Sequence, residues 1–169
     1  MREALKKIKI VVMDVDGVLT DGRIIVDSNG VETKNFDVQD GLGIVFLKKC
    51  GIKTAIISAR ESGVVAHRAQ DLKIDKVWVG VYPKLSAYES LLKEFNVQDE
   101  EVCFIGDDLV DLSIMHRCGV AIAVANAVVE VKQIAKYITV RKGGKGAVRE
   151  AIELILKAQG HWGPSLYEY

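Results

Sequence analysis

The sequence has no long hydrophobic run and no excess of charge of one sign. Its longest apolar stretches, at 10–13 and 120–125, are far shorter than the ~20 residues that a membrane-spanning helix needs, so no membrane span is expected. The 23 Lys and Arg residues balance 23 Asp and Glu residues. The chain therefore lacks the positive field on which non-specific nucleic-acid binding depends, and we expect no nucleic-acid partner.

Proline and cysteine are also scarce. With two Pro and an apolar fraction of 49%, the chain is not expected to be disordered. The three cysteines, Cys50, Cys103 and Cys118, are odd in number and far apart, which favours free thiols over disulfides or a zinc site. Residues 1–9 are charged and lack the apolar segment of a signal peptide, so we expect a cytoplasmic location. A length of 169 residues fits a single domain spanning 1–169.

Short β-branched runs alternate along the chain with stretches of helical periodicity. The runs are continuously apolar, as in strands of a parallel sheet buried on both faces, and they lie at 8–13, 54–58, 76–79, 102–105, 121–124 and 137–140. The helical stretches lie at 42–49, 62–72, 84–95, 109–117, 128–135 and 147–157. Gly51 and Gly119 stand where C-cap glycines are expected. This alternation predicts an α/β fold, a doubly wound, Rossmann-like parallel sheet.

Two segments depart from the alternation. Extended runs at 23–27 and 31–36 flank an Asn-Gly pair, so a β-hairpin over about 22–36 should project after the first strand. The C-terminal tail, about 160–169, holds one Trp, one Leu and two Tyr. Such a tail is expected either to dock on a partner or to fray.

Polar residues that could carry chemistry follow several of the predicted strands. Residues 14–20 read DVDGVLT after the first strand, Ser58 ends the second, Lys84 follows the third, and residues 106–111 read GDDLVD after the fourth. Ligands of an open α/β sheet bind beyond the carboxyl ends of its strands. Carboxylates, a hydroxyl and a lysine should therefore meet at one edge of the sheet.

This set of groups suits phosphoryl transfer to a carboxylate. A phosphate monoester repels an anionic nucleophile unless cations spread the charge on its oxygens, and a lysine and a divalent metal would do so. Mg²⁺ prefers oxygen ligands, which Asp14, Asp107 and the backbone carbonyl of Asp16 could supply. Asp16 could protonate the leaving alkoxide and later activate water, while Gly17 allows a tight turn beside it.

The two acidic motifs, with Ser58 and Lys84 in order between them, resemble those of the haloacid-dehalogenase-superfamily phosphatases. The resemblance implies that Asp14 is the nucleophile and Asp16 the acid/base. It also implies that Ser58 and Lys84 hold the phosphoryl group and that Asp107 binds Mg²⁺. Two further acids of the same motif, Asp108 and Asp111, would support the metal and the lysine.

A closer resemblance is to the small, capless branch of this superfamily that acts on 3-deoxy-D-manno-octulosonate 8-phosphate. It rests on DVDGVLTDG at 14–22, FDVQDGLG at 36–43, SARES at 58–62 and RKGGKGAVRE at 141–150. Position 59 is Ala where the branch more often has Gly. The 37 positions of 21–57 and the 25 positions of 59–83 are too few for a cap domain.

The same resemblance implies a homotetramer assembled through the hairpins, with each site completed by a neighbouring subunit. We predict a sugar-acid phosphate as substrate, with Arg60, Gly17 and Lys145 contributing to its binding. Arg60 and the lysines of the glycine-rich loop would provide positive charge for a substrate carboxylate. Whether that loop binds substrate or is simply flexible is left open by the sequence.

Other functions are also compatible with these motifs. The substrate could be another small sugar phosphate or a nonulosonate 9-phosphate. The chain could also be a phosphoacceptor or binding module that does not turn over. Asp16 argues against such a module, which needs no acid/base two residues beyond its acceptor.

Overall fold

A six-stranded parallel sheet forms the centre of the structure, a computed structural model that describes residues 1–167. In chain order the elements are α1 (Arg2–Leu5), β1 (Ile10–Met13), β2 (Ile25–Val26), β3 (Glu32–Thr33), α2 (Val38–Lys49), β4 (Lys53–Ile57), α3 (Gly63–Asp71), β5 (Lys76–Trp78), α4 (Leu85–Phe95), β6 (Val102–Gly106), α5 (Leu112–Met115), β7 (Val120–Ala123), α6 (Val129–Ile134), β8 (Tyr137–Ile138), α7 (Ala147–Ala158) and α8 (Pro164–Tyr167). Short 3-10 turns occupy Asp99–Glu101 and Leu109–Asp111. The predicted α/β class is confirmed.

The sheet order is β5-β4-β1-β6-β7-β8, and all of its strand pairs are parallel. β1 lies between β4 and β6, with Val11 opposite both Thr54 and Cys103. All four residues of β1 are buried, which explains their continuously apolar sequence. The chain winds to one side of β1 and then to the other, so the ends of β1 and β6 flank the switch point where such sheets bind ligands.

The second helix begins four residues earlier than its apolar periodicity predicted. The Asp37 carboxylate caps α2 by accepting hydrogen bonds from the backbone N–H groups of Gln39, at 2.6 Å, and Asp40, at 3.3 Å. The helix therefore starts at Val38, not at Leu42. Its Gly43 lies against Arg149 and Ile152, which lets α2 pack closely on α7.

The predicted helix over 109–117 is divided. A 3-10 turn covers Leu109–Asp111, and α5 adds one helical turn. The Asp111 carboxylate accepts from the backbone N–H of Asp107, four residues earlier, and this contact tightens the start of the segment. The prediction of a C-cap at Gly119 is wrong, since Gly119 lacks a positive φ angle. A Cβ at this position would lie 2.3 Å from the Glu100 carbonyl oxygen, so close packing accounts for the glycine.

The hairpin is present but its paired region is shorter than predicted. Ile25 pairs with Thr33 and Val26 with Glu32, while the rest of 22–36 is irregular. The Asp27 carboxylate fixes the turn by accepting from the backbone N–H groups of Asn29 and Val31 at 2.9 and 2.8 Å. Apolar residues of the hairpin are exposed, namely Ile24, Ile25, Val26 and Val31.

The tail docks on its own chain up to residue 166. The Trp162 ring lies edge-on to Phe46 of α2, with centroids 6.0 Å apart, and the guanidinium of Arg149 lies 5.1 Å from its centre. Leu166 is buried. The described part of the tail therefore neither frays nor needs a partner to cover its Trp; Glu168 and Tyr169 lie outside the described residues.

The cysteines are unpaired and the helices are short, as the sequence predicted. All three cysteines are free, Cys103 and Cys118 buried and Cys50 half-buried. Among residues 1–167, no helix has the length and apolar character to cross a membrane.

Candidate active site

The candidate nucleophile, Asp14, is the first residue after β1 and is 5% exposed. Its backbone N–H donates to the Ile105 carbonyl, which continues the β1–β6 ladder and fixes the residue at the sheet edge. The Asp14 Oδ1 atom lies 2.8 Å from Lys84 Nζ. Burial and the nearby Asp111 carboxylate raise the pKa of Asp14 to about 6, against the opposing effect of Lys84.

Lys84, the residue directly before α4, links two of the acidic residues, Asp14 and Asp111. Its side chain is fully buried, and its Nζ lies 2.8 Å from Asp14 and 2.7 Å from Asp111 Oδ1. Burial alone would lower the pKa of Lys84, but these two carboxylates outweigh it and the pKa is raised. The lysine is therefore a fixed cation beside the nucleophile and not a solvated surface charge.

Asp111 organises the turn after β6. Its Oδ1 accepts from Lys84, while its Oδ2 accepts from the backbone N–H groups of Asp107 and Asp108 at 2.9 and 3.3 Å. The neighbouring Asp108 caps the 3-10 turn by accepting from Leu109 N–H at 2.7 Å. Asp111 thus holds both the lysine and the loop that presents Asp107.

The carboxylates of Asp14, Asp107 and Asp111 approach one another closely enough to hold a metal ion, with one oxygen of each within 4.8 Å of the others. The Asp107 Oδ1 atom is buried and has no hydrogen-bond partner. Burial, followed by the charges of Asp14 and Asp111, raises the pKa of Asp107 to about 8. Three carboxylates face the single ammonium of Lys84, and a divalent cation would balance the two remaining charges. The site therefore fits Mg²⁺.

The sequence assigned Asp14, Asp16 and Asp107 to the metal, whereas the carboxylate cluster contains Asp111 in place of Asp16. The Asp16 side chain points elsewhere: its Oδ1 accepts a short hydrogen bond from Lys34. The predicted metal ligand of Asp16 is its backbone carbonyl and not its carboxylate. The direction of the side chain does not test that ligand, which stays a prediction.

Gly17 occupies a position that only glycine fits. Its φ angle is +97°, and a Cβ would lie 1.9 Å from Asp107 Oδ2. The Gly17 carbonyl accepts from the Asn126 amide at 3.1 Å, and the Asn126 carbonyl oxygen accepts from Gly143 N–H at 2.6 Å. Gly143 and Gly144 pack against residues 17–21. The glycine-rich loop is thus part of the wall behind the site and is not a free flexible loop.

The remaining candidates are Ser58, Arg60 and Lys145, and Arg60 is the one of them that contacts the hairpin among the described residues. Ser58 is buried, and its Oγ accepts from Arg60 N–H at 3.3 Å. The Nη2 of Arg60 donates to Glu32 Oε1 at 3.1 Å, and its Nη1 is 4.0 Å from Asp16 Oδ2. Lys145 is exposed on the glycine-rich loop. Arg60, from which the sequence predicted positive charge for a substrate carboxylate, is already paired with Glu32 through one edge of its guanidinium.

Comparisons with known proteins agree with this geometry. Residues 80–152 match the model of the haloacid dehalogenase-like hydrolase family. The 3-deoxy-D-manno-octulosonate 8-phosphate phosphatase of Haemophilus influenzae is 43% identical over 160 residues, which cover 95% of this chain and 89% of that protein. That of Escherichia coli K12 is 41% identical over 155 residues, which cover 92% of this chain and 82% of the relative.

This chain belongs to the 3-deoxy-D-manno-octulosonate 8-phosphate phosphatase family. The resemblance stated from the motifs is thereby confirmed, as is the fold class. A crystal structure of the Moraxella catarrhalis family member, in complex with a magnesium ion, a phosphate ion and the sugar acid KDO, superposes with a TM-score of 0.92. It is 46% identical, and the match covers 94% of this chain and 91% of that one. The magnesium in that structure and the acidic triad here bear out the Mg²⁺ prediction.

Sequence reasoning missed three residues that the fold brings to the site, Lys34, Glu32 and Asn126. No local pattern identifies them, because each acts on a partner that is distant in the sequence; Asn126 and Gly17 are 109 positions apart. For Lys34 the sequence does offer one hint. It is an isolated cation two residues before Phe36, where the family segment FDVQDGLG begins.

Proposed function

We propose that this chain hydrolyses 3-deoxy-D-manno-octulosonate 8-phosphate to the free sugar acid and phosphate through an aspartyl-phosphate at Asp14. The observation that carries the proposal is the placement of a buried carboxylate, Asp14, against a buried lysine and beside the unpartnered carboxylate oxygen of Asp107. Membership of the family supports this substrate, because relatives at 41–43% identity are named as 3-deoxy-D-manno-octulosonate 8-phosphate phosphatases.

In the first step, an Asp14 carboxylate oxygen attacks phosphorus and the bond from phosphorus to the sugar oxygen breaks. The departing oxygen takes a proton from the Asp16 carboxyl group. A bound Mg²⁺ would supply positive charge for the phosphoryl oxygens, with Asp14, Asp107 and the Asp16 backbone carbonyl as its protein ligands. Lys84, already fixed 2.8 Å from Asp14, adds a second cation on the side of the nucleophile.

In the second step, the Asp16 carboxylate takes a proton from a water molecule whose oxygen attacks phosphorus. The bond from phosphorus to Asp14 breaks, which releases inorganic phosphate and restores both carboxyl groups to their starting states. Ser58 is the second proposed holder of the phosphoryl group, since its buried hydroxyl lies at the carboxyl end of β4.

Arg60 is the proposed ligand of the substrate carboxylate. Its Nη1 is buried and has no hydrogen-bond partner, while its Nη2 is held by Glu32. One edge of the guanidinium is therefore anchored by Glu32, and the unpartnered Nη1, which faces Asp16 at 4.0 Å, would have to turn outward to meet a substrate anion. Lys145 and Gly17 are retained as candidates for substrate contact, with Lys145 exposed on the loop behind Gly17.

The experiment that tests the function is a phosphate-release assay with Mg²⁺ over a panel of sugar phosphates, including 3-deoxy-D-manno-octulosonate 8-phosphate and a nonulosonate 9-phosphate. We expect the former to be hydrolysed with the highest kcat/KM. Asp14→Asn should remove activity and leave the fold intact, because an amide cannot attack phosphorus. Phosphate release by a folded Asp14→Asn protein would overturn the role of Asp14. Stable phosphorylation of Asp14 without turnover would favour the phosphoacceptor alternative.

A homo-oligomer, most simply the tetramer that the family resemblance implies, is proposed as the working form. Its support is the exposed apolar surface of Ile24, Ile25 and Val26 on a hairpin with only two residue pairs, since isolated hairpins are marginal in water. Light scattering should give the mass of an oligomer, and a monomeric mass at assay concentration would contradict it. A cytoplasmic location stays a prediction.

A further inference from the structure

We propose that Lys34, supplied by the hairpin, is a positioning residue for Asp16. It holds the Asp16 carboxyl group where it can pass a proton to the departing sugar oxygen. The proposal rests on the proposed function, in which Asp16 is the acid/base. It gives the hairpin a part in the chemistry of its own subunit, in addition to any part in assembly.

The Lys34 side chain is 1% exposed, although Lys34 follows directly on a short surface strand, β3. A lysine charge is costly to bury unless it is paired. Lys34 has two carboxylate partners: it donates a short hydrogen bond to Asp16 Oδ1, and its Nζ lies 3.3 Å from Glu32 Oε1. The lysine is therefore committed to a contact with Asp16 and cannot turn to solvent without losing both partners.

Asp16 depends on this contact more than on any other. Among residues 1–167, the hydrogen bond from Lys34 is the one that its carboxylate accepts. The next cation, Arg60 Nη1, is 4.0 Å from Oδ2, which is beyond hydrogen-bonding distance. Without Lys34, the Asp16 carboxylate would accept no hydrogen bond from residues 1–167 and would keep only the longer contact with Arg60.

Lys34 is itself fixed from the far side by Glu32. That glutamate accepts from Arg60 at 3.1 Å through Oε1 and from the Ser62 hydroxyl through Oε2. Ser62 precedes α3 and Arg60 follows β4, so the end of β4 and the start of α3 both anchor Glu32. The segment between β4 and α3 thus holds the hairpin through Glu32, and the hairpin in turn holds Asp16 through Lys34.

A charge-balancing role would also explain a buried ion pair, so the test must separate position from mere stability. A general acid matters for an alkyl leaving group and hardly at all for a nitrophenolate, which leaves without a proton. The value of kcat/KM reports the steps up to the first irreversible one, here phosphoryl transfer to Asp14 with loss of the leaving group. The ratio of kcat/KM for sugar phosphate to that for p-nitrophenyl phosphate therefore isolates the proton transfer.

The central variant is Lys34→Met, which removes the charge and keeps the length and apolar stem. We expect kcat/KM on the sugar phosphate to fall by about 10²-fold, the lower range for a general acid, while kcat/KM on p-nitrophenyl phosphate changes by less than about three-fold. Lys34→Arg keeps the charge and the donors and should recover most of the lost ratio. Lys76→Met is the control, because Lys76 pairs with Glu94 on the surface, and it should leave the ratio unchanged.

An equal loss on both substrates, or no loss on the sugar phosphate, would overturn the proposal. If Lys34→Met does not fold, as judged by thermal melting, Lys34→Gln is measured in its place, and the same ratio decides. A failure of the proposed substrate is distinguishable from a failure of this inference. If the proposed substrate is wrong, wild type hydrolyses a different alkyl phosphate. The ratio of kcat/KM values is then measured with that alkyl phosphate and p-nitrophenyl phosphate.

Discussion

Replacing Asp107 by Asn should stabilise the metal-free protein at neutral pH. Burial and the Asp14 and Asp111 charges raise the pKa of Asp107 to about 8, from an ordinary value near 3.8. An unfolded chain loses this proton near pH 4, whereas the folded protein keeps it until about pH 8. Folded protein therefore binds more protons over that interval, and its stability falls as the pH rises through it.

The size of the effect follows from the shift. Between about pH 4 and pH 7, this proton uptake lowers the free energy of unfolding of wild type by about 2 to 4 kcal/mol, since a tenfold change in proton affinity is worth ~1.4 kcal/mol. An Asn side chain has no charge to desolvate, so Asp107→Asn should recover most of this lost free energy of unfolding. In a chain of this size, that difference corresponds to a rise in Tm of roughly 5 to 12 °C.

The assay is thermal melting of wild type and Asp107→Asn, in a chelator, from pH 4.5 to pH 8. We expect the difference in Tm to be small at the acid end and to grow with pH. With Mg²⁺ added, wild type should gain stability by mass action and the variant should gain little, because it lacks a ligand. A variant that is less stable than wild type at pH 7, or a difference that does not change with pH, would refute this account of the acidic cluster.

Two further predictions concern the walls of the site. Gly17→Ala should weaken Mg²⁺ binding at least ten-fold by calorimetry, because a Cβ at φ +97° would lie 1.9 Å from Asp107 Oδ2; an unchanged affinity would mean that the loop relaxes freely. Arg60→Ala should lower kcat/KM about ten- to a hundred-fold on the acidic sugar phosphate, the worth of a charged hydrogen bond, and less on a neutral hexose phosphate. An equal loss on both would assign Arg60 to the phosphate or to the fold.

The order and type of the elements were predictable because the sheet is buried on both faces. Each strand then reads as a continuous apolar run, and every one of the six was located within two or three residues of its observed bounds. The first and last residues of an element were harder to predict where a hydrogen bond from a side chain determines them. Asp37 caps α2, which therefore starts at Val38, and the hydrogen bonds of Asp111 accompany a 3-10 turn over the first three residues of the helix expected after β6.

The acidic residues at the strand ends were predictable for a related reason. In a parallel sheet the carboxyl ends of the strands share one edge, so strand order brings Asp14 and Asp107 together without further information. Contacts made by loops were not predictable in this way. The link from Lys34 to Asp16 depends on how the hairpin folds back over the sheet, and no periodicity records that path.

The hydrogen bonds from Asn126 to Gly17 and from Gly143 to Asn126 have a consequence for how the protein is made. They join the first loop of the chain to segments that emerge from the ribosome more than a hundred residues later. Contacts of such long sequence separation form late, because the intervening chain must first be closed into a loop. A nascent chain that ends before residue 143 would already contain Asp14, Asp107 and Asp111 but not the support behind Gly17. Metal binding should therefore report completion of the fold, appearing only once the final third of the sequence has been added.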